Sequence, residues 1–412
     1  MKGYTSLDQT KISPLNKWLL IIGIILFAAN LRAPLTSVGA LISFIRTDLE
    51  LSHTLTGTLT TLPLLAFAIL SPFAPKIARK ISMERTIFLS LVILAIGLVL
   101  RSLFGVGALF VGTLFVGIAI AFGNVLLPGF IKLKFPFKVG IMTGIYSVFM
   151  NIFAALASGL SVPLLSLGDI GWEGSLVFWS IPAFLAIAVW IPQLKKVKNV
   201  SQEETVERKK TQIWRSPLAW SITLFMGLQS LIFYTTITWL PEILQEIGYS
   251  SSAAGWLLFL MQFSIIPITF IIPVVAEKMK NQKLLGGLTA VFFAIGISGV
   301  LFGHQAFIPV SVIFIGVGGG TAFSLSMMFF SLRTSSAHEA AEMSGMAQSV
   351  GYLLAAIGPV LFGALHDFTG SWTTPLFMLI GVSFVIFISG IEAGKKKVIN
   401  EKVSEEPQIS GV

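Results

Sequence analysis

The sequence predicts an all-α integral membrane protein of twelve transmembrane helices, arranged as two pseudo-symmetric six-helix bundles with both termini in the cytoplasm. Three observations lead there. The 412 residues are 55% hydrophobic and only 11% charged, whereas soluble domains carry about 25% charged residues. Apolar runs long enough to cross about 30 Å of hydrocarbon recur twelve times. Landmarks of the first six runs return in the second six at a near-constant offset.

The elements follow in order. A polar tail occupies 1–16. The run after it is too long for a signal h-region and lacks an Ala-x-Ala site, so no cleavable signal is expected. The first bundle, 17–193, holds spans at about 17–44, 53–74, 84–103, 107–131, 139–166 and 174–193. A basic linker, 194–216, contains Ser201-Gln202-Glu203-Glu204 and Arg208-Lys209-Lys210. It reads as a solvated tether, or as an amphipathic helix on anionic membrane lipid. The second bundle, 217–391, holds spans at about 217–244, 252–275, 284–302, 307–332, 341–366 and 372–391, and a tail, 392–412, follows.

Basic residues orient the spans. Twenty-five of the 28 Lys and Arg fall on one side. They are Lys2, Lys11 and Lys17; Lys76, Arg79, Lys80 and Arg85; and Lys132, Lys134 and Lys138. The linker adds Lys195, Lys196, Lys198, Arg208, Lys209, Lys210 and Arg215. The second half adds Lys278, Lys280, Lys283 and Arg333, and the tail Lys395, Lys396, Lys397 and Lys402. The opposite breaks hold Arg46 and Arg101. The positive-inside rule then places both termini in the cytoplasm.

The repeat is collinear. Gly57 and Gly255, Asp48 and Glu246, and Pro75 and Pro273 are each 198 residues apart. Met142-Thr143-Gly144 and Met343-Ser344-Gly345 are 201 apart. Two bundles related in this way place a solute site near the midplane between them, with alternating access by rocking one half against the other.

The remaining Arg is the most informative residue. Arg32 sits deep in the first apolar run, where a permanent cation costs at least about 2.5–3.5 kcal/mol to insert. It points to an anionic or strongly polar solute, or to a structural Arg satisfied by helix-end carbonyls. Other polar span residues are few enough to name. Asn30, Thr36 and Ser37 accompany Arg32, and Asn124 lies in span four. Tyr146 and Asn151 lie in span five, five residues apart and so on different faces. Gln229, Tyr234, Thr238 and Trp239 lie in span seven, Gln262 in span eight, and Gln348 and Tyr352 in span eleven. Ser230 is the repeat mate of Arg32, and Tyr352 that of Asn151, which would let Asn151 and Tyr352 face each other across the pseudo-two-fold axis. Asn30, Asn124 and Asn151 read either as solute contacts or as interhelical hydrogen bonds, and the aromatic residues as cavity lining or packing. Pro34 and Pro128 remove backbone hydrogen bonds within spans and are expected to kink them.

Several strings carry a family resemblance: Asn30-Leu31-Arg32-Ala33-Pro34-Leu35-Thr36-Ser37-Val38-Gly39, Gly123-Asn124-Val125-Leu126-Leu127-Pro128 and Thr238-Trp239-Leu240-Pro241. On these the chain resembles a major facilitator superfamily transporter, and more narrowly the cyanate permease and 2-nitroimidazole transporter family. The resemblance covers nearly the whole chain. It implies the major facilitator fold and a monomeric secondary carrier of small solutes, multi-pass in a bacterial cytoplasmic membrane. One departure is that the superfamily's loop between spans two and three has an Asp where this chain has Pro75. The basic Arg79 and Lys80 remain, as gating residues or as an ordinary solvated loop.

Coupling is less legible. The 19 Asp and Glu lie at span ends, in loops or in tails, so no mid-membrane carboxylate marks a proton path. The solute itself supplies the missing charge, either with protons or by exchange. His338 and Glu339, opening span eleven, are the candidates for gating or titration.

The absence of Cys excludes disulfides, thiol catalysis and Cys–metal sites. No Walker loop, metal constellation or nucleophile–base pair is visible, so neither cofactor nor enzymatic activity is expected. The basic residues sit in short loops, so nucleic acid is not expected either. Efflux of lipophilic cations and solute sensing without translocation stand as alternatives to uptake of a small anion, weak acid or compact polar heterocycle.

Overall fold

The computed structural model describes residues 14–51, 53–103, 105–165, 170–194 and 213–399. Lys2 and Lys11, the linker's Lys195, Lys196, Lys198, Arg208, Lys209 and Lys210, and Lys402 in the tail lie outside the described residues, as do the tether and amphipathic-helix readings of the linker.

Fifteen α-helices form twelve spans among the described residues, with no strand. Span one is split into α1 (Pro14–Ala29) and α2 (Ala33–Asp48). Span two runs through α3 (His53–Leu70), a 3-10 turn and α4 (Ala74–Ile81). Spans three to five are α5 (Met83–Leu103), α6 (Gly105–Lys134) and α7 (Val139–Leu164). Span six is split into α8 (Gly171–Phe178) and α9 (Ile181–Leu194). Spans seven to nine are α10 (Pro217–Glu246), α11 (Ser251–Lys278) and α12 (Lys283–Phe302). Spans ten to twelve are α13 (Ile308–Leu332), α14 (Ala337–Thr369) and α15 (Thr373–Ala393).

Within the first six spans, α5 packs on α6 and α9, α3 on α6, and α1 and α2 on α7. Within the last six, α10 packs on α14 and α15, α11 on α13, and α12 on α13 and α15. Without water to drive apolar association, close approach through small residues holds such helices together. A Cβ on Gly112 of α6 would lie 2.6 Å from the Gly97 carbonyl of α5. Large aromatics fill the rest. Trp190 of α9 is fully buried, with its ring 5.4 Å from Phe130 and 6.0 Å from Phe27, and its indole N–H donates to the Glu84 carbonyl at 3.1 Å. Trp190→Ala is therefore expected to lower stability by about 3–5 kcal/mol, read as a fall in the thermal midpoint of purified protein in detergent.

The structure corrects two expectations. Arg101 does not lie in a break between spans: it is in the last turn of α5, 1% exposed, with Nη1 donating to the Pro34 carbonyl at 2.7 Å. An apolar run that ends in Arg looks like a loop boundary, but acceptors on a neighbouring helix, here the Pro34 carbonyl and Ser37 Oγ, can receive that Arg inside the protein. The stretch Pro72–Lys80 is not an open loop: it forms the 3-10 turn and α4, with Ala74, Pro75 and Ala78 buried. Pro75 falls at the start of α4, where its missing N–H costs no intrahelical bond.

The two sets of spans meet mainly at the end that bears the basic loops. There α7 packs on α11, α14 on α3 and α6, and α13 on α6 and α7. Arg79 pairs with Glu342, and Lys132 donates to the Ser331 and Thr334 carbonyls. Ser331 in turn donates to the Pro128 carbonyl at 3.4 Å. At the opposite end α7 and α11 expose Leu156, Leu160, Trp256 and Phe259, with open space around Gly159 and Gly255. Among the described residues the seam is thus packed at the basic end and exposed at the other.

Also at the basic end, Arg333 donates to the Ala393 and Gly394 carbonyls at 2.8 and 3.1 Å and to the Gln282 side chain. Burial pushes its guanidinium down to about 10, which leaves it charged at neutral pH.

Candidate functional site

The site begins with the break in span one. The residue before a proline is disfavoured in the helical region, and proline itself fits the first turn of a new helix. Ala33-Pro34 therefore starts α2 three residues beyond the end of α1. Across the break the bonds tighten to the i−3 pattern, Asn30 N–H to Phe27 O and Leu31 N–H to Ala28 O, both 3.0 Å. This leaves the Leu26 carbonyl without its helical amide, and the Asn30 side chain supplies the replacement at 2.7 Å. Asn30 is buried and repairs the helix end rather than lining a cavity.

Arg32 is the residue before α2, with φ −129° and ψ −36°. Its turn is clipped on two sides. Thr36 Oγ1 donates to the Ala154 carbonyl of α7 at 3.0 Å, and Arg101 of α5 holds the Pro34 carbonyl and Ser37 Oγ. Its guanidinium turns into a cavity between the two sets of spans, which Asn151 of α7 also lines. Nη1 donates to Asn151 Oδ1 at 2.8 Å. Asn151 Nδ2 donates to the Ser147 carbonyl at 2.8 Å, so the carboxamide oxygen is the atom turned to Arg32.

The second set of spans completes the wall. From α10 come Gln229, Ser230, Phe233 and Tyr234. From α11, α13 and α14 come Ile265, Gly319 and Phe323, and Tyr352. The rings of Phe323 and Phe233 lie 4.9 and 5.5 Å from Arg32 Cζ, a cation–π arrangement on a half-buried guanidinium. Tyr352 packs on Tyr234 at 6.5 Å and on Phe67 at 4.9 Å. Among the described residues, Arg32 has no carboxylate partner: Asn151 and the two rings are its side-chain neighbours. The space is small. About 380 Å³ of space between atoms lies within the cavity, part of it open solvent.

The cavity thus gathers Arg32, Asn151, Gln229, Tyr234 and Tyr352 from the residues singled out in the sequence. Both repeat-mate pairs, Arg32 with Ser230 and Asn151 with Tyr352, fall on its wall. The remaining candidates are not on its wall. Tyr146 is buried in α7, near enough to interact with Arg32 and Tyr352, and Asn124 is half-buried on α6. Trp239 donates its indole N–H to the Pro359 carbonyl at 2.8 Å and packs on Trp372. Gln348 donates to Ser344 Oγ at 2.8 Å, one turn away on α14. Gln262 is exposed on α11.

At the basic end, Arg79 forms its ion pair with Glu342 and Lys80 is exposed. Glu339 belongs to the start of α14: Ser336 Oγ accepts its N–H at 3.1 Å, and its carboxylate accepts from the Ser335 N–H. This reciprocal arrangement resembles a capping box. His338 is half-buried beside it. The sequence missed Phe233, Ile265, Gly319 and Phe323, which are apolar residues in apolar runs. For Phe233 a signal existed, since it lies one turn from the Arg32 repeat mate Ser230.

Comparison with known proteins agrees with this architecture. The chain is 47% identical over 381 residues to the uncharacterized transporter YycB of Bacillus subtilis (strain 168), covering 92% of this chain and 94% of that protein. It is 42% identical over 391 residues to the 2-nitroimidazole transporter of Escherichia coli (strain K12), covering 95% and 99%. It is 24% identical over 371 residues to the cyanate transport protein CynX of the same organism, covering 89% and 96%. Among solved structures, the E. coli fucose:proton symporter FucP superposes with a TM-score of 0.70 at 14% identity, covering 92% of this chain and 99% of that one. The model of the Major Facilitator Superfamily matches residues 19–359. A twelve-span membrane protein with a polar cavity between its two sets of spans, matched over most of its length by that model, belongs to the major facilitator superfamily of membrane transporters.

Proposed function

We propose that this protein is a secondary transporter that moves a small anion, weak acid or compact polar heterocycle across a bacterial cytoplasmic membrane by alternating access, with Arg32 as its recognition charge. One observation carries the proposal: a permanent cation lines the cavity between the halves, and among the described residues its side chain has a single amide oxygen as hydrogen-bond partner. A group kept at such cost is expected to meet an external partner. Asn151, Gln229, Tyr234 and Tyr352 are the proposed companions in solute contact. The relatives' names, a 2-nitroimidazole transporter and a cyanate transport protein, denote small solutes of this chemistry.

The domains follow the sequence boundaries: a tail 1–16, bundles 17–193 and 217–391 joined by the linker 194–216, and a tail 392–412, with both termini cytoplasmic. Because the chain contains no Cys, single cysteines report sidedness cleanly. A membrane-impermeant maleimide is expected to label Ala306→Cys in intact cells, and Lys396→Cys only after permeabilisation. The reverse pattern would invert the orientation. In that orientation the packed basic end faces the cytoplasm and the exposed end faces outward.

The transport proposal is tested by thermal stabilisation of the purified protein against cyanate, 2-nitroimidazole and a lipophilic cation, followed by flux into liposomes for any compound that binds. A ligand specific for the folded state adds about 2.7 kcal/mol of apparent stability at one hundred times its dissociation constant. Stabilisation by the cation alone would overturn the role given to Arg32.

A further inference from the structure

We propose that Gln229 is the specificity-determining residue of this site, and that its side-chain oxygen selects solutes carrying an N–H donor in addition to an oxygen acceptor. The inference rests on the reading of the cavity as the solute site and narrows the solute class.

Ser230 Oγ donates to the Met226 carbonyl at 2.9 Å. A hydroxyl has a single proton to give, and toward its other neighbour Ser230 accepts: that neighbour, 2.8 Å away, is Nε2 of the Gln229 carboxamide. This orientation of the amide makes both hydrogen bonds at once, whereas the flipped one makes the hydroxyl choose between the Gln229 oxygen and the Met226 carbonyl. Oε1 is left as the free end of a residue that is 3% exposed and lines the cavity. No donor meets Oε1 among the described residues.

Besides Asn151 and Ser230, which are paired with Arg32 and Gln229, and the Tyr234 and Tyr352 hydroxyls, the wall offers two unlike polar features. Arg32 brings N–H donors and no acceptor. Gln229 brings a buried acceptor without a donor. A simple anion with oxygen or nitrogen lone pairs and no N–H satisfies the guanidinium and leaves Oε1 desolvated and unpaired, a costly outcome for a buried acceptor. A solute that presents an acceptor to Arg32 and an N–H to Gln229 satisfies both. The rings of Phe233, Tyr234, Phe323 and Tyr352 add flat aromatic surface to the same wall, with a hydroxyl at the end of each tyrosine. The class that fits is a planar azole-type heterocycle with a ring N–H and an oxygen-bearing substituent.

The test compares 2-nitroimidazole with 1-methyl-2-nitroimidazole, in which the N–H alone is replaced, using ligand-induced thermal stabilisation of the full-length protein. Wild type is expected to bind the N–H compound about tenfold more tightly or better, because sites built to pair a polar group reject analogues that lack it. In Gln229→Met, which keeps the chain length and removes the acceptor, the ratio is expected to fall to within about twofold through weaker binding of the N–H compound.

Three results would overturn the proposal. Equal affinities in wild type would do so without any variant. So would an unchanged ratio in Gln229→Met, which would mark a steric effect of the methyl group, or no binding of 2-nitroimidazole by wild type. Arg32→Ala separates the two levels of argument. If both affinities survive it, the solute-site reading fails; if both vanish while the wild-type ratio is near one, only the role of Gln229 fails.

Discussion

Arg32→Ala protein is expected to insert and fold, and to lose ligand-dependent stabilisation and transport. The side chain takes no part in helix packing beyond its contacts around the cavity, where it meets Asn151 and two rings. Its removal relieves a costly cation instead of breaking an ion pair. The backbone turn that carries it is held by other residues, Asn30, Thr36 and Arg101. What disappears is the charged donor set. Hydrogen bonds to charged groups contribute about 1.5–3 kcal/mol each, so a solute held by one of them loses roughly tenfold to 150-fold in affinity, and one held by two loses up to about 10⁴-fold. Arg32→Lys is expected to recover little, because an ammonium is a point charge and cannot offer two parallel donors to a planar acceptor. Unfolding of Arg32→Ala, or equal stabilisation of the variant and wild type by the same compound, would assign Arg32 a structural role.

Gly129→Leu is expected to force open the end that is closed here. Gly129 lies on α6, one residue after Pro128, at a point where two helices from opposite halves touch. A Cβ there would be 2.6 Å from the Ala337 carbonyl and 3.2 Å from Ala341 Cβ. Neither is the tip of a flexible side chain, so the halves themselves must part. Overpacking of this kind costs about 1–3 kcal/mol. The cost falls on the state closed at this end and not on one open there, so the balance between them shifts by roughly fivefold to 150-fold. A reporter cysteine at Ser344, fully buried on α14, should then react with a thiol reagent about tenfold faster than in an otherwise identical protein with Gly129, and transport should fall in parallel. Unchanged labelling with normal transport would show that the contact at Gly129 does not hold the closed state.

The sequence revealed the spans because bilayer thickness sets their length, and twelve apolar runs therefore stand out with few errors at their ends. It revealed Arg32, Asn151 and Gln229 because polar side chains are conspicuous against hydrocarbon. It did not reveal which polar residues converge. Asn30, Trp239 and Gln348 satisfy backbone or neighbouring hydroxyls, and nothing in their spacing separates that use from solute contact. The break at Asn30–Arg32 and the prolines reset the helical phase, so faces counted from one end of a span do not carry to the other. Phe323 and Gly319 were invisible for the opposite reason: an apolar residue in an apolar run offers no contrast, although its ring can sit 4.9 Å from the one cation in the cavity. Arg101 showed the limit of charge counting, since a carbonyl and a hydroxyl on a neighbouring helix can receive an Arg that appears to belong to a loop.

The lone guanidinium in the cavity also has an electrical consequence. In the proposed cycle the empty protein carries Arg32 from access on one side of the membrane to access on the other. An elementary charge is worth about 2.3 kcal/mol per 100 mV across the full membrane, so any fraction of the field traversed makes the return of the empty protein sensitive to voltage. A bound monoanion cancels that charge and a neutral heterocycle does not. The voltage dependence of the loaded and empty steps, measured in liposomes at imposed potentials, would therefore reveal the ionisation state of the solute at the moment it crosses.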